Sequence, residues 1–317
     1  MKIKKIFILC LRNNYLDYAH YELSFGFLSD CFDTFNQFRQ PEQEHLPFMM
    51  HHVIIRIPFI MILLVNITNV CRQRDFHYDT LVWLDSKVPM FFIHIPPGEF
   101  LMGSREDEPG RDPDEGPIHT VLINTPFYMS VFEVTQEQFT TVMGYNPSSF
   151  SVLETSAQHP VETVTWNEAV AFIDRLNARG KGKFRLPTEA EWEYSCRAET
   201  KSTYYWGDEM MENGESEYTW ANSRSFARTH PVGEKKSNPW GLYDMSGNVW
   251  EWCSDWYGPY SPEQQTEPAG PGTGKNKVFR GGSWYDFYES HRCANRHRHS
   301  TNKGYTAIGF RVVLETD

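Results

Sequence analysis

Hydrophobic and polar positions change texture along this chain. From Ile57 to Val65 nearly every residue is apolar, whereas from Met90 onward apolar and polar residues alternate or recur at helical spacing. The apolar run sits in "MMHHVIIRIPFIMILLVNITNVC", residues 49–71. It is too short for a membrane-spanning helix and suits the core of a signal segment. On that reading the biological start lies near Met49 or Met50, and the protein works outside the cytoplasm: periplasmic, secreted or surface-bound. The other reading is a buried strand or helix of a small extension. Either way, residues 1–88 form an N-terminal extension and residues 89–317 a separate domain.

The domain's pattern predicts its elements. "MFFIHIPPGEFLMGS" alternates and then turns at Pro-Pro-Gly, as a hairpin does, and "HTVLINTPFYMSVFEVT" carries strand signals. Thr135 starts a helix with Gln138 three positions on, a capping-box pattern. "TWNEAVAFIDRLNARG" predicts an amphipathic helix with Ala169, Phe172, Ile173 and Leu176 on one face and Gly180 at its end. "TEAEWEYSCRA" predicts another, capped by Thr188 with Glu191. Beyond Thr200 turns, Trp-rich loops and short strands follow, closing on the strand "GFRVVLE". Hairpin, helices, loops and closing strand make an α+β plan.

Composition sharpens this. The chain has 317 residues with 10 Trp, 16 Tyr and 22 Phe beside 21 Gly and 19 Pro. Rings with turn formers point to packed loops rather than a bundle. The net charge of -11 argues against a sequence-independent grip on nucleic acid. Six cysteines include no CxxC pair, so neither a thioredoxin-like nor a zinc-ribbon site is expected. His291, His297 and His299 lie close in sequence without the further ligands that zinc needs.

The motifs "IPPGEFLMGS", "DEGPIHTV", "EVTQEQF", "HPVETVTWNEAVAF", "RLPTEAEWEYSCR", "NPWGLYDMSGNVWEWCSDWY", "RGGSW" and "IGFRVV" occur in this order. Together they resemble the formylglycine-generating enzyme family, the sulfatase-modifying factor domain, over about residues 90–314. The resemblance implies a C-type-lectin-like fold with little regular secondary structure. It also implies an oxidase in which two cysteines bind copper and convert a substrate cysteine to formylglycine. The first of those cysteines stands three residues past the Ser of "RGGSW". Here that position is Asp286, and "FYESH" after it has no cysteine. A soft copper(I) ion needs thiolates, which a carboxylate does not replace, so copper is not expected.

What persists is the frame of the pocket: Trp250, Ser283 and Asp286, with core packing as the other reading of Trp250. No catalytic residue is assigned. The resemblance pairs Cys196 with Cys293 in a disulfide, against the alternative of two buried thiols; a link across that span contributes roughly 3–5 kcal/mol. It also implies calcium at Asp244 and Glu251 through side chains and at Gly247 and Val249 through carbonyls, against a solvated turn. A second calcium site at Asn222 and Ser223 is not expected, because the loop after it is short.

Trp284, Tyr285, Phe287, Tyr288, His291, His297, His299 and Tyr305 then read as a contact surface for a protein, peptide or small ligand. Three functions stay open. The first is a non-oxidase binding or accessory module. The second is a formylglycine-generating oxidase. The third is a variable ligand-binding protein displaying residues 284–307.

Overall fold

The computed structural model describes residues 76–209, 217–222 and 225–316 of the chain. The signal segment expected at 49–71 and the cysteines at 10, 31 and 71 lie outside the described residues.

The domain begins earlier than residue 89. Strand β1 (Thr80–Trp83) pairs antiparallel with β2 (Pro89–Ile95) through a turn held by Asp85, whose carboxylate accepts the amides of Lys87 and Val88 at 2.7 and 2.8 Å. Ahead of β1, the Phe76 ring packs edge-on against Phe91 and Phe132. The expected boundary at 88/89 thus cuts a hairpin.

The expected Pro-Pro-Gly hairpin is absent. Strand β2 belongs to one sheet and β3 (Gly98–Met102) to another, where it pairs with β4 (His119–Ile123). Pro96 and Pro97 have no amide to donate, so the ladder stops and the chain crosses between sheets. The Tyr194 hydroxyl donates to the Pro96 carbonyl at 3.2 Å and fills the space a Cβ on Gly98 would need.

Among the described residues the three α-helices each open on a capping box. They are α1 (Gln136–Met143, capped by Thr135), α2 (Trp166–Asn177, Thr165) and α3 (Glu189–Arg197, Thr188). The Thr165–Glu168 box went unnoticed in the sequence, although "TWNE" carries it. Ala169, Phe172, Ile173 and Leu176 are all buried. Phe172 stacks on Phe139 of α1 at 5.7 Å and meets the edge of Phe310 at 5.3 Å. Helix α3 is buried along its whole length, Glu189, Glu191, Glu193 and Arg197 included.

The described residues also form three sheets. The largest contains, in order, β1, β2, β5 (Phe127–Ser130), β12 (Val313–Glu315) and β6 (Phe184–Arg185). The second runs β10 (Arg296–His299), β9 (Lys277–Arg280), β7 (Trp250–Trp256), β11 (Ile308–Gly309). The third runs β3, β4, β8 (Gln265–Thr266). "GFRVVLE" is two strands, not one. β11 lies parallel to β7, and after Phe310, Arg311 and Val312 the chain joins the first sheet as β12. Long loops join short strands around two cores, the α+β plan with little regular structure that the motifs implied. Among the described residues no helix is long and apolar enough to cross a membrane.

Candidate functional site

Strand β9 ends at Arg280, and Gly281 and Gly282 then take φ of 103° and 74°, conformations that favour glycine. This turn carries Ser283 under the first residue of β7. There the three frame residues meet. Ser283 Oγ–H and Trp250 Nε1–H both donate to Asp286 Oδ2, the indole at 2.8 Å. Asp286 N–H returns to the Ser283 carbonyl at 3.1 Å, and Asn222 N–H donates to the Asp286 carbonyl at 3.1 Å. A half-buried carboxyl group held by two donors is a positioned acceptor. It has no thiol beside it in residues 287–291 to make a copper pair.

The expected contact surface divides. Tyr285, Phe287 and Tyr305 are 65%, 70% and 50% exposed. His297 is exposed, with its ring stacked on Phe279, and half-buried His299 stacks on Tyr305 at 4.7 Å. Tyr288 is half-buried.

Trp284 and His291 are not surface residues, at 8% and 0% exposure. The Trp284 indole donates to the Thr306 carbonyl at 2.9 Å and meets Phe150 edge-on. His291 lies beneath Gly282, where any Cβ would collide with the imidazole. Its Nε2–H donates to the Ser283 carbonyl at 3.1 Å, so Nδ1 accepts from the Thr219 hydroxyl at 2.8 Å. Burial pulls its pKa down to about 4 and keeps the ring neutral. His291 therefore supports the floor of the frame.

Cys196 and Cys293 face each other as thiols, Sγ to Sγ at 3.5 Å, with no bond between them. Cys253 is a third buried thiol, packed in the core cluster with Cys196 and Cys293. Burial raises its pKa, which suits a structural rather than a reactive sulfur.

Asp244, Gly247 and Val249 lie in the loop that leads into β7 and Glu251 lies on that strand, but Glu251 is committed elsewhere. Arg311 Nε–H and Nη2–H donate to its two oxygens at 2.6 and 2.7 Å, and Trp192 Nε1–H adds a third bond at 2.6 Å. Asp244 accepts the Gly233 amide at 2.6 Å, and Val249 N–H donates to Glu133 at 3.0 Å. Among the described residues no group of three or more His, Cys, Asp or Glu is arranged to hold a metal. As arranged, these side chains do not fit calcium, because the charge of Glu251 is already balanced by a fixed guanidinium. Asn222, from the discounted second site, donates its side-chain amide to the Tyr285 carbonyl at 2.7 Å.

Sequence reasoning missed a second feature, a set of buried ion pairs. Arg280 pairs with Glu193, Arg292 with Glu115 and Glu108, Arg296 with Glu189, and Arg311 with Glu251. All these arginines are at most 2% exposed. Two of these arginines meet the acidic helix α3, while Arg292 meets the loop around Glu115 and Arg311 meets β7. Which Glu meets which Arg is decided only in three dimensions. These pairs fasten residues 292–296 to α3 and to the loop around Glu115, so the surface beyond His297 stands on a rigid base.

Comparison with known proteins agrees with this architecture. The chain is 36% identical over 254 residues to the serine/threonine-protein kinase pkn1 of Chlamydia caviae, covering 71% of this chain and 38% of that protein. It therefore spans well under two thirds of that relative's length. It is 31% identical over 287 residues to the formylglycine-generating enzyme of Streptomyces coelicolor, covering 71% of this chain and 89% of that enzyme. Among solved structures, the Treponema denticola variable protein 1 superposes with a TM-score of 0.67 at 28% identity, covering 75% of this chain and 99% of that one. The sequence profile of the sulfatase-modifying factor enzyme 1-like domain matches residues 86–316, which also places β1 just outside it. With the motifs, the fold and the pocket frame in agreement, the chain belongs to the sulfatase-modifying factor family.

Proposed function

We propose that this chain is a non-oxidase member of its family, acting as a binding or accessory module. The observation that carries this reading is Asp286. A carboxylate stands where the resemblance puts the first copper-binding thiolate, and it is tied to Ser283 and Trp250. Thiolates are the ligands that hold a soft metal. Tyr285, Phe287 and Tyr305 supply aromatic area beside this frame at low entropic cost. The partner is a protein, a peptide or a small ligand outside the cytoplasm. The likeness to a protein named as variable supports a second reading, in which the exposed part of residues 284–307 is a changeable contact surface.

The test is direct. The purified protein is incubated with a sulfatase-type peptide, copper and oxygen, and the peptide is weighed by mass spectrometry. The expected result is an unchanged cysteine. Turnover to formylglycine would overturn the proposal and establish the oxidase.

A further inference from the structure

Strand β7 carries the pocket frame at its first residue, Trp250. Six residues on, about 20 Å along an extended strand, it borders a different cavity. This one has a volume of about 300 Å³ and lies between α3, the end of β7 and the Gly- and Pro-rich loop 258–271. Met102, Ala190, Trp256, Pro259 and Pro271 give it a largely apolar wall.

One group in that wall is out of place. Asp255 is 3% exposed. Its Oδ2 accepts the Glu189 amide at 2.9 Å and the Ser254 hydroxyl at 3.1 Å. Its Oδ1 has no hydrogen-bond partner among the described residues and faces Gly270, where a Cβ would sit 3.2 Å from it. Among the described residues no cation forms an ion pair with this carboxylate, although Lys277 is near enough to feel its charge. Arg296 gives two bonds to Glu189, at 2.7 and 2.6 Å, and Tyr260 gives that same side chain a third at 3.0 Å. Lys277 is held by the Ser254 carbonyl at 2.6 Å and by the faces of Trp166 and Trp256. His119 gives its Nδ1–H to the Pro117 carbonyl at 3.0 Å. The second carboxylate oxygen thus lies at the cavity wall with no donor from the protein, open to a donor that enters the cavity.

We propose that this cavity binds a small protonated amine with a short apolar body. Its ammonium group meets Asp255 Oδ1, and its apolar part lies against Trp256 and Pro271. An ammonium supplies both things Asp255 lacks, a donor and a positive charge. A hydroxyl supplies only the first. The Asp255 carboxyl is also pushed up to about 7, by burial first and by the Glu189 charge next, so at neutral pH it is ready to ionise fully when a cation arrives. The site is independent of the reading of Asp286.

Benzylammonium chloride is the probe and isosteric benzyl alcohol its neutral control, followed by amide shifts of Gly258 and Gly270 in 1H–15N spectra. Saturable binding in the millimolar range is expected, with benzyl alcohol at least tenfold weaker. Asp255→Asn is expected to weaken benzylammonium at least tenfold. Ala269→Phe, at the exposed mouth, is expected to block both probes, which keeps the test open if the buried variant fails to fold. Equal binding of the two probes, undiminished binding by a folded Asp255→Asn, or no saturable shift at either glycine would each overturn the proposal.

Discussion

The Trp250 indole donates its proton to Asp286 Oδ2 at 2.8 Å, and the same oxygen takes the Ser283 hydroxyl. One carboxylate thus satisfies two donors on buried side chains that would otherwise have none. Asp286→Ala is expected to destabilise the domain by about 1–3 kcal/mol, the cost of stranding such groups. For a domain of this size each kcal/mol lowers Tm by about 2–4 °C. Asp286→Asn keeps an acceptor and is expected to lose less. Equal losses in thermal melts would show that the carboxylate's acceptor role is not what matters.

The Arg311–Glu251 pair is completely buried. Glu133 and Asp244 lie near it, and burial followed by the charges of Asp244 and Glu251 raises the pKa of Glu133 well above its usual range. Arg311→Met therefore leaves acids facing one another and is expected to cost about 3–5 kcal/mol in urea unfolding. The double change Arg311→Met with Glu251→Leu removes both charges and is expected to cost less than the single one. A double variant less stable than Arg311→Met would refute the electrostatic account.

Because Glu251 is balanced by Arg311, millimolar calcium added after EDTA treatment is expected to leave Tm unchanged. A rise of several degrees would place the ion in the turn at Asp244, by preferential binding to the folded state.

Cys196 and Cys293 touch at 3.5 Å across 97 residues of sequence. Mild oxidation is expected to join them, with the link read as a joined peptide by mass spectrometry. Closing a loop of that length is expected to raise stability by roughly 3–5 kcal/mol in the chain-entropy account. Oxidised protein that still shows both thiols free on denaturation would count against the pairing.

Asp255 has a folded-state pKa of about 7, above the roughly 3.9 of an unfolded aspartate. Between those values the folded chain holds a proton that the unfolded chain has released. Stability from this group is therefore full at low pH and falls as pH rises from about 4 to about 7, by about 4 kcal/mol as an upper value. Asp255→Asn is expected to flatten that part of the stability–pH curve. An unchanged slope in chemical denaturation between pH 5 and pH 7 would argue that Asp255 is ionised throughout.

Local structure was legible where local rules act alone. The capping boxes at Thr135 and Thr188 and the buried face of α2 follow from side chains three and four residues apart. The rule failed at Pro96-Pro97, because a turn signal says the chain bends but not which strand it pairs with next. Trp284 and His291 were misread for a related reason. Aromatic and polar residues after a Gly-Gly turn can face either way: Gly282 leaves room for the His291 imidazole, and Trp284 turns in to the Thr306 carbonyl and Phe150. Glu251 read as a metal ligand because a carboxylate beside a turn looks the same in sequence whether or not an arginine from 60 residues away reaches it.

The sequence by itself determined the family, the helix starts and the carboxylate at position 286, since each depends on residue type at a position. Only the tertiary structure decided which charges neutralise which, which rings face solvent, and that Asp255 has an oxygen left without a partner. Those depend on burial and on contacts between distant segments, where water is excluded and each polar group must find its partner through space.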